Sequence, residues 1–259
     1  MKKKTVSILI TSFNKSKFLK KTIDSCIQQN FQSKEILVFD DCSTDGSLDI
    51  LNKFKKVKII KNKKKKHSSS PLNQIYGIKE LFKISKGEII FLLDADDKFK
   101  KNKLSHVFKI FKQNKKIHFI QDKPFLSDKK KFMSLKKKNH LFSIWPSFYP
   151  TSCMALRRNF FAEFIKYLEE NKFPNLEIDA RLSMFAHLKN EFSFLKRSLT
   201  IYNYDEFGIT SNYKKYYRNW WKKRNEAFSY LIFLTKKLKV SFRMGPDFYL
   251  TRLINFFII

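Results

Sequence analysis

An α/β fold, with a mostly parallel central sheet flanked by helices and a C-terminal helical extension, is predicted by three observations. Short β-rich runs alternate with helical patterns through the first hundred residues, the signature of βαβ units. Two of those runs end in crowded aspartates: Glu35-Ile36-Leu37-Val38-Phe39 leads into Asp40, Asp41, Asp45 and Asp49, and Ile89-Ile90-Phe91-Leu92-Leu93 leads into Asp94, Asp96 and Asp97. From Lys214 onward the chain is helical, basic and aromatic.

Val6 to Ile10 reads as the first strand. Lys15 to Gln29 then sets Leu19, Ile23, Cys26 and Ile27 on one helical face with lysines opposite. Ile36 to Phe39 is the second strand, Ser43-Thr44-Asp45-Gly46 a turn and helix start, and Leu48, Leu51 and Phe54 the next inward stripe. Val57 to Ile60 is the third strand, followed by a lysine-rich polar loop from Lys61 to Ser70. Leu72 to Ser85 is a helix with Ile75, Ile78, Leu81 and Phe82 inward, and Gly87 stands where a left-handed cap needs glycine. Ile89 to Leu93 is the fourth strand. In sheets of this kind ligands sit beyond the carboxyl ends of the strands, where both acidic clusters fall.

After Asp97 the pattern loosens. Lys103 to Gln113 is a helix with Leu104, Val107, Phe108 and Phe111 inward, and Ile117 to Ile120 a strand. Lys123 to Lys138 is basic and irregular, Trp145 to Leu156 extended and broken by Pro146 and Pro150, and Asn159 to Asn171 helical. Leu176-Glu177-Ile178-Asp179-Ala180-Arg181-Leu182 opens another helix, and Phe192 to Leu195 and Leu199 to Tyr204 read as two strands. No internal repeat is visible.

With 259 residues, 43% of them hydrophobic, the chain can bury the core of one large α/β domain or of one domain with a helical appendage, and a disordered composition is excluded. Cys26, Cys42 and Cys153 form no CxxC, and the apolar stretch behind Met1-Lys2-Lys3-Lys4 is too short for a secretory leader, so a reduced, cytoplasmic protein is expected. No run approaches the ~20 apolar residues of a membrane-spanning helix, and none is expected to cross. The net charge of +31 points to nucleic acid or an anionic membrane surface, but Lys, Ile, Asn and 29 Phe are also what an AT-rich coding sequence yields whatever the function. Charge therefore discriminates poorly.

The aspartates discriminate better. Only 23 acidic residues occur in the chain, and crowding them at two strand ends carries a repulsive cost. A divalent cation and a diphosphate ligand would offset it, and hard oxygen donors of this kind suit Mg²⁺ or Mn²⁺ shared between carboxylates and phosphate. The five histidines are scattered without ligand spacing, which argues against zinc.

Val6-Ser7-Ile8-Leu9-Ile10-Thr11-Ser12-Phe13-Asn14, Phe39-Asp40-Asp41-Cys42-Ser43-Thr44-Asp45-Gly46-Ser47 and Leu93-Asp94-Ala95-Asp96-Asp97 resemble the three leading blocks of the family 2 glycosyltransferases. Ile178-Asp179-Ala180-Arg181-Leu182 resembles the later block that carries that family's catalytic base. The resemblance spans roughly residues 5–210 and implies a GT-A (nucleotide-diphospho-sugar transferase) fold, a nucleotide-sugar donor, a divalent metal and inversion at the anomeric carbon. Carried over position by position, it implies that Thr11, Ser12 and Asn14 border the nucleotide and that Asp41, with Asp40, contacts the base, typically uracil. Asp94 and Ala95 would lie near the ribose, Asp96 and Asp97 would hold the metal, and Asp179 would be the base. The implied layout is a catalytic domain over 1–212, with a nucleotide-binding half 1–100 and an acceptor half 101–212, and a basic aromatic extension over 213–259. Two stretches depart from the family: Lys61 to Asn73 carries no Arg to seat the donor, and Tyr204 to Tyr213 supplies no metal-facing His, only Asp205 and Glu206.

Sugar transfer needs charge neutralised on the leaving diphosphate and a carboxylate to take the acceptor's proton, the latter typically contributing about 10²- to 10⁴-fold. Asp179 opens a helix, whose N-terminus favours the anion; it is either that base or an N-cap. Arg181 either pairs with a carboxylate or phosphate or lies solvated at the surface. Pro150 to Met154, followed by Arg157-Arg158, falls in the implied acceptor region, where Trp145 or Tyr149 either stacks on a sugar or belongs to the core. Lys214 to Arg224 interleaves cations with Tyr216, Tyr217, Trp220 and Trp221, which suits either a helix in a membrane interface or one closing the catalytic domain.

The reading is an inverting, metal-dependent glycosyltransferase of the hexosyltransferase type. It moves a sugar from a nucleoside-diphosphate sugar, UDP-linked, to a glycan or lipid-linked acceptor, in bacterial cell-surface polysaccharide synthesis. It acts in the cytoplasm or peripherally at the inner face of the cell membrane. A basic nucleic-acid-binding protein is the rival from another class, but carboxylates at its binding face would repel phosphate. A haloacid-dehalogenase-type phosphatase using Asp94 and Asp96 wants Thr or Val after its motif, near the N-terminus; here Asp97-Lys98 follows in mid-chain. Sugar nucleotidyltransferases open with a Gly-rich loop, and Ser12-Phe13-Asn14-Lys15 has no glycine.

Overall fold

The computed structural model describes residues 5–135, 146–206, 208–209 and 213–258. The expectations for Trp145 and for residues 136–138 lie outside them. The first half runs β1 (Val6–Ser12), α1 (Ser16–Ile27), β2 (Lys34–Asp40), α2 (Ser47–Asn52), β3 (Val57–Lys61), α3 (Ser70–Ile84) and β4 (Ile89–Asp94). The second runs β5 (Lys98–Phe99), α4 (Lys103–Gln113), β6 (Phe119–Leu126), β7 (Lys131–Phe132), β8 (Met154–Arg157), α5 (Arg158–Ile165), α6 (Ile178–Lys189), β9 (Phe192–Tyr202), α7 (Arg218–Leu238) and α8 (Pro246–Ile258).

Among the described residues these strands form one nine-stranded sheet in the order β3-β2-β1-β4-β8-β6-β9-β5, with β7 on the side of β6. β3, β2, β1 and β4 are all parallel, as right-handed βαβ units require. The register sets Thr11 opposite Asp94 and Ser12 opposite Asp40, so the β1 tip lies between the two acidic strand ends. Side chains alternate across β1: Ile8 and Ile10 pack with Leu19 and Ile23 of α1 on one face, and Leu9 packs with Ile75 of α3 on the other. The core on the α3 face extends through Phe161, Phe185 and Tyr230 of α5, α6 and α7, so the C-terminal helix α7 joins the same core as β1, β2 and β4.

Several elements differ from the sequence expectation, and within the stretch from Lys123 expected to be irregular β6 runs on to Leu126 and β7 forms at Lys131–Phe132. Gly87 is not a left-handed cap; a Cβ there would lie 2.4 Å from the Ser7 amide nitrogen, so glycine is required because β1 passes against it. The two strands expected after Phe192 are one strand, β9, because Asp122 of β6 accepts the Leu199 amide at 2.9 Å and the Thr200 hydroxyl at 3.0 Å where the register shifts. The expected helix 159–171 stops at Ile165, and the chain beyond it wraps around the Arg181 guanidinium. The C-terminal helix is two helices, broken where Lys239 takes a left-handed φ of 53°.

Candidate active site

A cavity of about 550 Å³ lies over the carboxyl tips of β1, β2 and β4. This is the topological switch of the sheet, where β1 has β2 on one side and β4 on the other. Thr11, Ser12, Asp41, Asp94, Ala95, Asp96 and Asp179 all line it. Asn14, Asp40 and Asp97 do not, and each is held elsewhere for a physical reason.

Asn14, at φ 51°, donates its amide to Ser43 Oγ at 2.9 Å and accepts the Thr44 amide at 2.8 Å, lacing the β1 turn to the β2 turn. Asp45 completes the lacing by accepting the Ser16 amide at 2.8 Å and the Ser47 amide and hydroxyl; burial opposes its charge, but these bonds hold the carboxyl down at about 2. Asp40 is 1% exposed and accepts the Ser43 amide at 3.0 Å. Asp97 is also 1% exposed and accepts the Asn203 amide at 2.8 Å, fastening the β4 turn to the end of β9. Part of each acidic cluster is therefore scaffold, while Asp41 of the first and Asp94 and Asp96 of the second face the cavity.

Asp41 accepts Asn62 Nδ2 at 2.8 Å. Asp94 accepts Gln74 Nε2 of α3 at 2.7 Å; burial, then the charges of Asp96 and Asp179, push its carboxyl up to about 8. Asp96 pairs with Lys15 Nζ at 2.6 Å, and the same ammonium contacts Asp205. Burial alone would lower Lys15, but the two carboxylates outweigh it and its pKa is raised.

Asp179 lies in the first turn of α6, whose N-cap is Glu177, and its carboxyl accepts the Ala180 amide at 2.7 Å. Burial, reinforced by Glu177 and opposed by Lys223 of α7, raises it to about 7. Glu177 is itself ion-paired to Lys223. A carboxylate poised near neutrality at the wall of a cavity can act as a proton acceptor.

Among the described residues no three His, Cys, Asp or Glu side chains are grouped so as to hold a metal alone. Mg²⁺-type ions are usually held by one or two carboxylates together with substrate phosphates. Asp96 and Asp205, which converge on one positive centre, the Lys15 ammonium, are two carboxylates of that kind. Asp97, the other expected ligand, does not line the cavity; it is 1% exposed and its Oδ1 accepts the Asn203 amide.

Several wall residues escaped the sequence reading. Lys15 follows the first block, and Gln74 reads only as a polar position on α3. Trp220, Lys223 and Arg224 stand in the aromatic-lysine stretch, but their periodicity does not say which face of α7 meets the cavity; they line it. Pro150 and Thr151 line it too, whereas Tyr149 is buried with its ring edge-on to Phe194. Arg157 bonds the carbonyls of Phe111, Asn114 and Ile117, and Arg158 the Gly87 carbonyl and the Ser85 hydroxyl; neither lines the cavity. Arg181 is not solvated at the surface. It is fully buried and donates to the carbonyls of Leu168, Lys172, Phe173 and Leu176.

A profile of the family described as "Glycosyl transferase family 2" matches residues 7–165. The chain is 34% identical over 125 residues, 47% of its own length and 44% of the relative's, to the UDP-Glc:alpha-D-GlcNAc-diphosphoundecaprenol beta-1,3-glucosyltransferase WfaP of Escherichia coli. It is similar in fold to the crystal structure of S. aureus TarS 1-349 in complex with UDP-GlcNAc, with a TM-score of 0.68 at 17% identity over 87% of this chain and 66% of that one. The mannosyltransferase PcManGT from Pyrobaculum calidifontis, in complex with GDP-Man and Mn²⁺, gives 0.57 at 13% identity over 95% and 67%. The chain thus spans less than half of the curated relative and about two thirds of each of these solved structures.

Proposed function

The chain belongs to glycosyl transferase family 2, and from that premise we propose that it is an inverting glycosyltransferase of the GT-A fold using a UDP-linked sugar donor. The acceptor is a hydroxyl of a glycan or lipid-linked glycan, and the product a bacterial cell-surface polysaccharide assembled at the cytoplasmic side of the membrane. The names of WfaP and of the UDP-GlcNAc complex of TarS support the donor and acceptor classes. The observation that carries the reading is that Asp41, Asp94, Asp96 and Asp179, from three separate stretches of chain, face one cavity.

In this reading Thr11 and Asp41 meet the nucleoside, Asp94 bonds the ribose, and Asp179 accepts the proton of the acceptor hydroxyl on the face opposite the leaving diphosphate. Asp94, whose carboxyl burial and the charges of Asp96 and Asp179 push up, has one oxygen fixed by Gln74 and the other available to a ribose hydroxyl. Mg²⁺ or Mn²⁺, held by Asp96 and Asp205 with the diphosphate oxygens, would supply Lewis-acid neutralisation of the leaving group. Lys15 adds a positive charge at the same wall. Trp220 and Arg224 of α7 complete the cavity, so the catalytic unit takes in α7 as well as residues 1–212.

The test is to titrate UDP-glucose and UDP-N-acetylglucosamine with Mn²⁺ and compare two variants. Asp96→Asn is expected to lose donor affinity by tenfold or more. Asp179→Asn is expected to bind donor as the parent does and to lose about 10²- to 10⁴-fold in transfer. Normal transfer by both variants would overturn the site assignment.

A further inference from the structure

α8 packs on the protein with its polar side. Asp247, Thr251 and Asn255, one turn apart, are all buried: Asp247 pairs with Arg224, Thr251 accepts Arg224 Nε at 3.0 Å, and Asn255 donates to the Trp221 carbonyl at 3.1 Å. The outward side is the apolar one. Tyr249, Leu250, Leu253, Phe256 and Phe257 are exposed, Leu253 at 57%, Phe256 at 80% and Phe257 at 76%. At 100° per residue these five fall within an arc of about 120°, opposite the buried polar stripe. Contiguous apolar surface of this kind marks a contact with something not water.

The charge around the stripe selects what covers it. Residues 213–258 contain eleven Lys or Arg and only two acidic side chains. Both acids are engaged inside the protein, Asp247 with Arg224 and Glu226 with Asn175. Lys236, Lys237, Lys239 and Arg243 are exposed near the start of α8, and Arg218 reaches its end, bonding the Ile258 carbonyl at 3.0 Å. Cations therefore stand at both ends of the aromatic stripe. A second copy of this chain would bring the same cations face to face and be repelled. No described helix is long and apolar enough to cross a membrane, whereas a short amphipathic helix with a cationic border suits an interfacial position.

We propose that α8 lies in the surface of an anionic lipid bilayer, its stripe of Tyr249, Leu250, Leu253, Phe256 and Phe257 seated at headgroup level and the flanking Lys and Arg against lipid phosphates. This stands independently of the transferase reading. α7 lies between α8 and the cavity, contributing Trp220, Lys223 and Arg224 to the wall, so the bound surface comes within about one helix diameter, ~10 Å, of the cavity.

The experiment is co-sedimentation of the full chain with phosphatidylglycerol-containing vesicles and with pure phosphatidylcholine vesicles, alongside the Phe256→Ser/Phe257→Ser double variant. Binding is expected to the anionic vesicles, to weaken with salt, and to fall at least tenfold in the double variant. Because both rings are largely exposed, the variant keeps its melting temperature and UDP-sugar binding, which separates this test from that of the cavity. Phe256→Trp is expected to shift its emission to the blue on anionic vesicles and to be quenched by brominated lipid. No binding to anionic vesicles, or equal binding by parent and double variant, overturns the proposal. So does a parent dimer that the double variant dissolves without any vesicle binding, which would assign the stripe to a second copy.

Discussion

Asp179 owes its proton affinity to being sunk in the first turn of α6 beside Glu177, with only Lys223 to oppose the effect. A base must be ionised to act, so transfer is expected to rise from acid pH and level off above about pH 7, following the value of about 7. Asp179→Asn, measured for residual rate across the same range, should lose this limb. Stability runs the other way. The native carboxyl binds its proton more tightly than the ordinary ~3.9 of an unfolded Asp, so between about pH 4 and 7 the native state holds more protons and loses stability as pH rises. Melting curves of Asp179→Asn and the parent should therefore coincide near pH 4 and separate, with the variant more stable, above pH 7. At this scale the sequence distinguished residue types but not their direction: Asp94 and Asp97 are three positions apart on one turn, yet one faces the cavity and the other the interior.

Among the elements, α4, β6 and β9 are joined by a buried charge pair. Lys103 of α4 is fully buried and contacts Asp122 of β6 at 2.7 Å, while its ammonium also donates to the Ser152 carbonyl and Thr200 hydroxyl. Removing one partner leaves the other charged and unpaired in a dry interior, so Lys103→Met is expected to cost about 3–5 kcal/mol in chemical denaturation. Lys103→Met/Asp122→Leu should recover much of that loss, because the charge and its desolvation cost go together. Lys103 reads from sequence as one more lysine at a helix start, and nothing local marks it as buried. Arg181 is the parallel case: its guanidinium organises the 168–176 segment ahead of α6, a task that becomes visible only when that segment has folded over it.

For the molecule as a whole, the cavity is built from β1, β2, β4, α3, α6, the segment after β9 and α7 together. A ligand bridging them should raise stability by about 2.7 kcal/mol at a hundredfold excess over its Kd, seen as a higher melting temperature with UDP. Hydrogen exchange should slow at the β1 and β4 tips and the start of α6 and stay unchanged along the outer side of α8. The parallel half of the sheet, the alternation of strands and helices along it, and the cluster of carboxylates at the strand ends were already determined by the sequence, because periodicity and local turn chemistry act over a few residues. The tertiary structure alone decided three things: which aspartates became scaffold, that α7 turns Trp220 and Arg224 into the cavity, and that α8 presents its apolar side outward. Each depends on packing between segments far apart in the chain, where an amphipathic pattern names two faces but not which of them the rest of the molecule will cover.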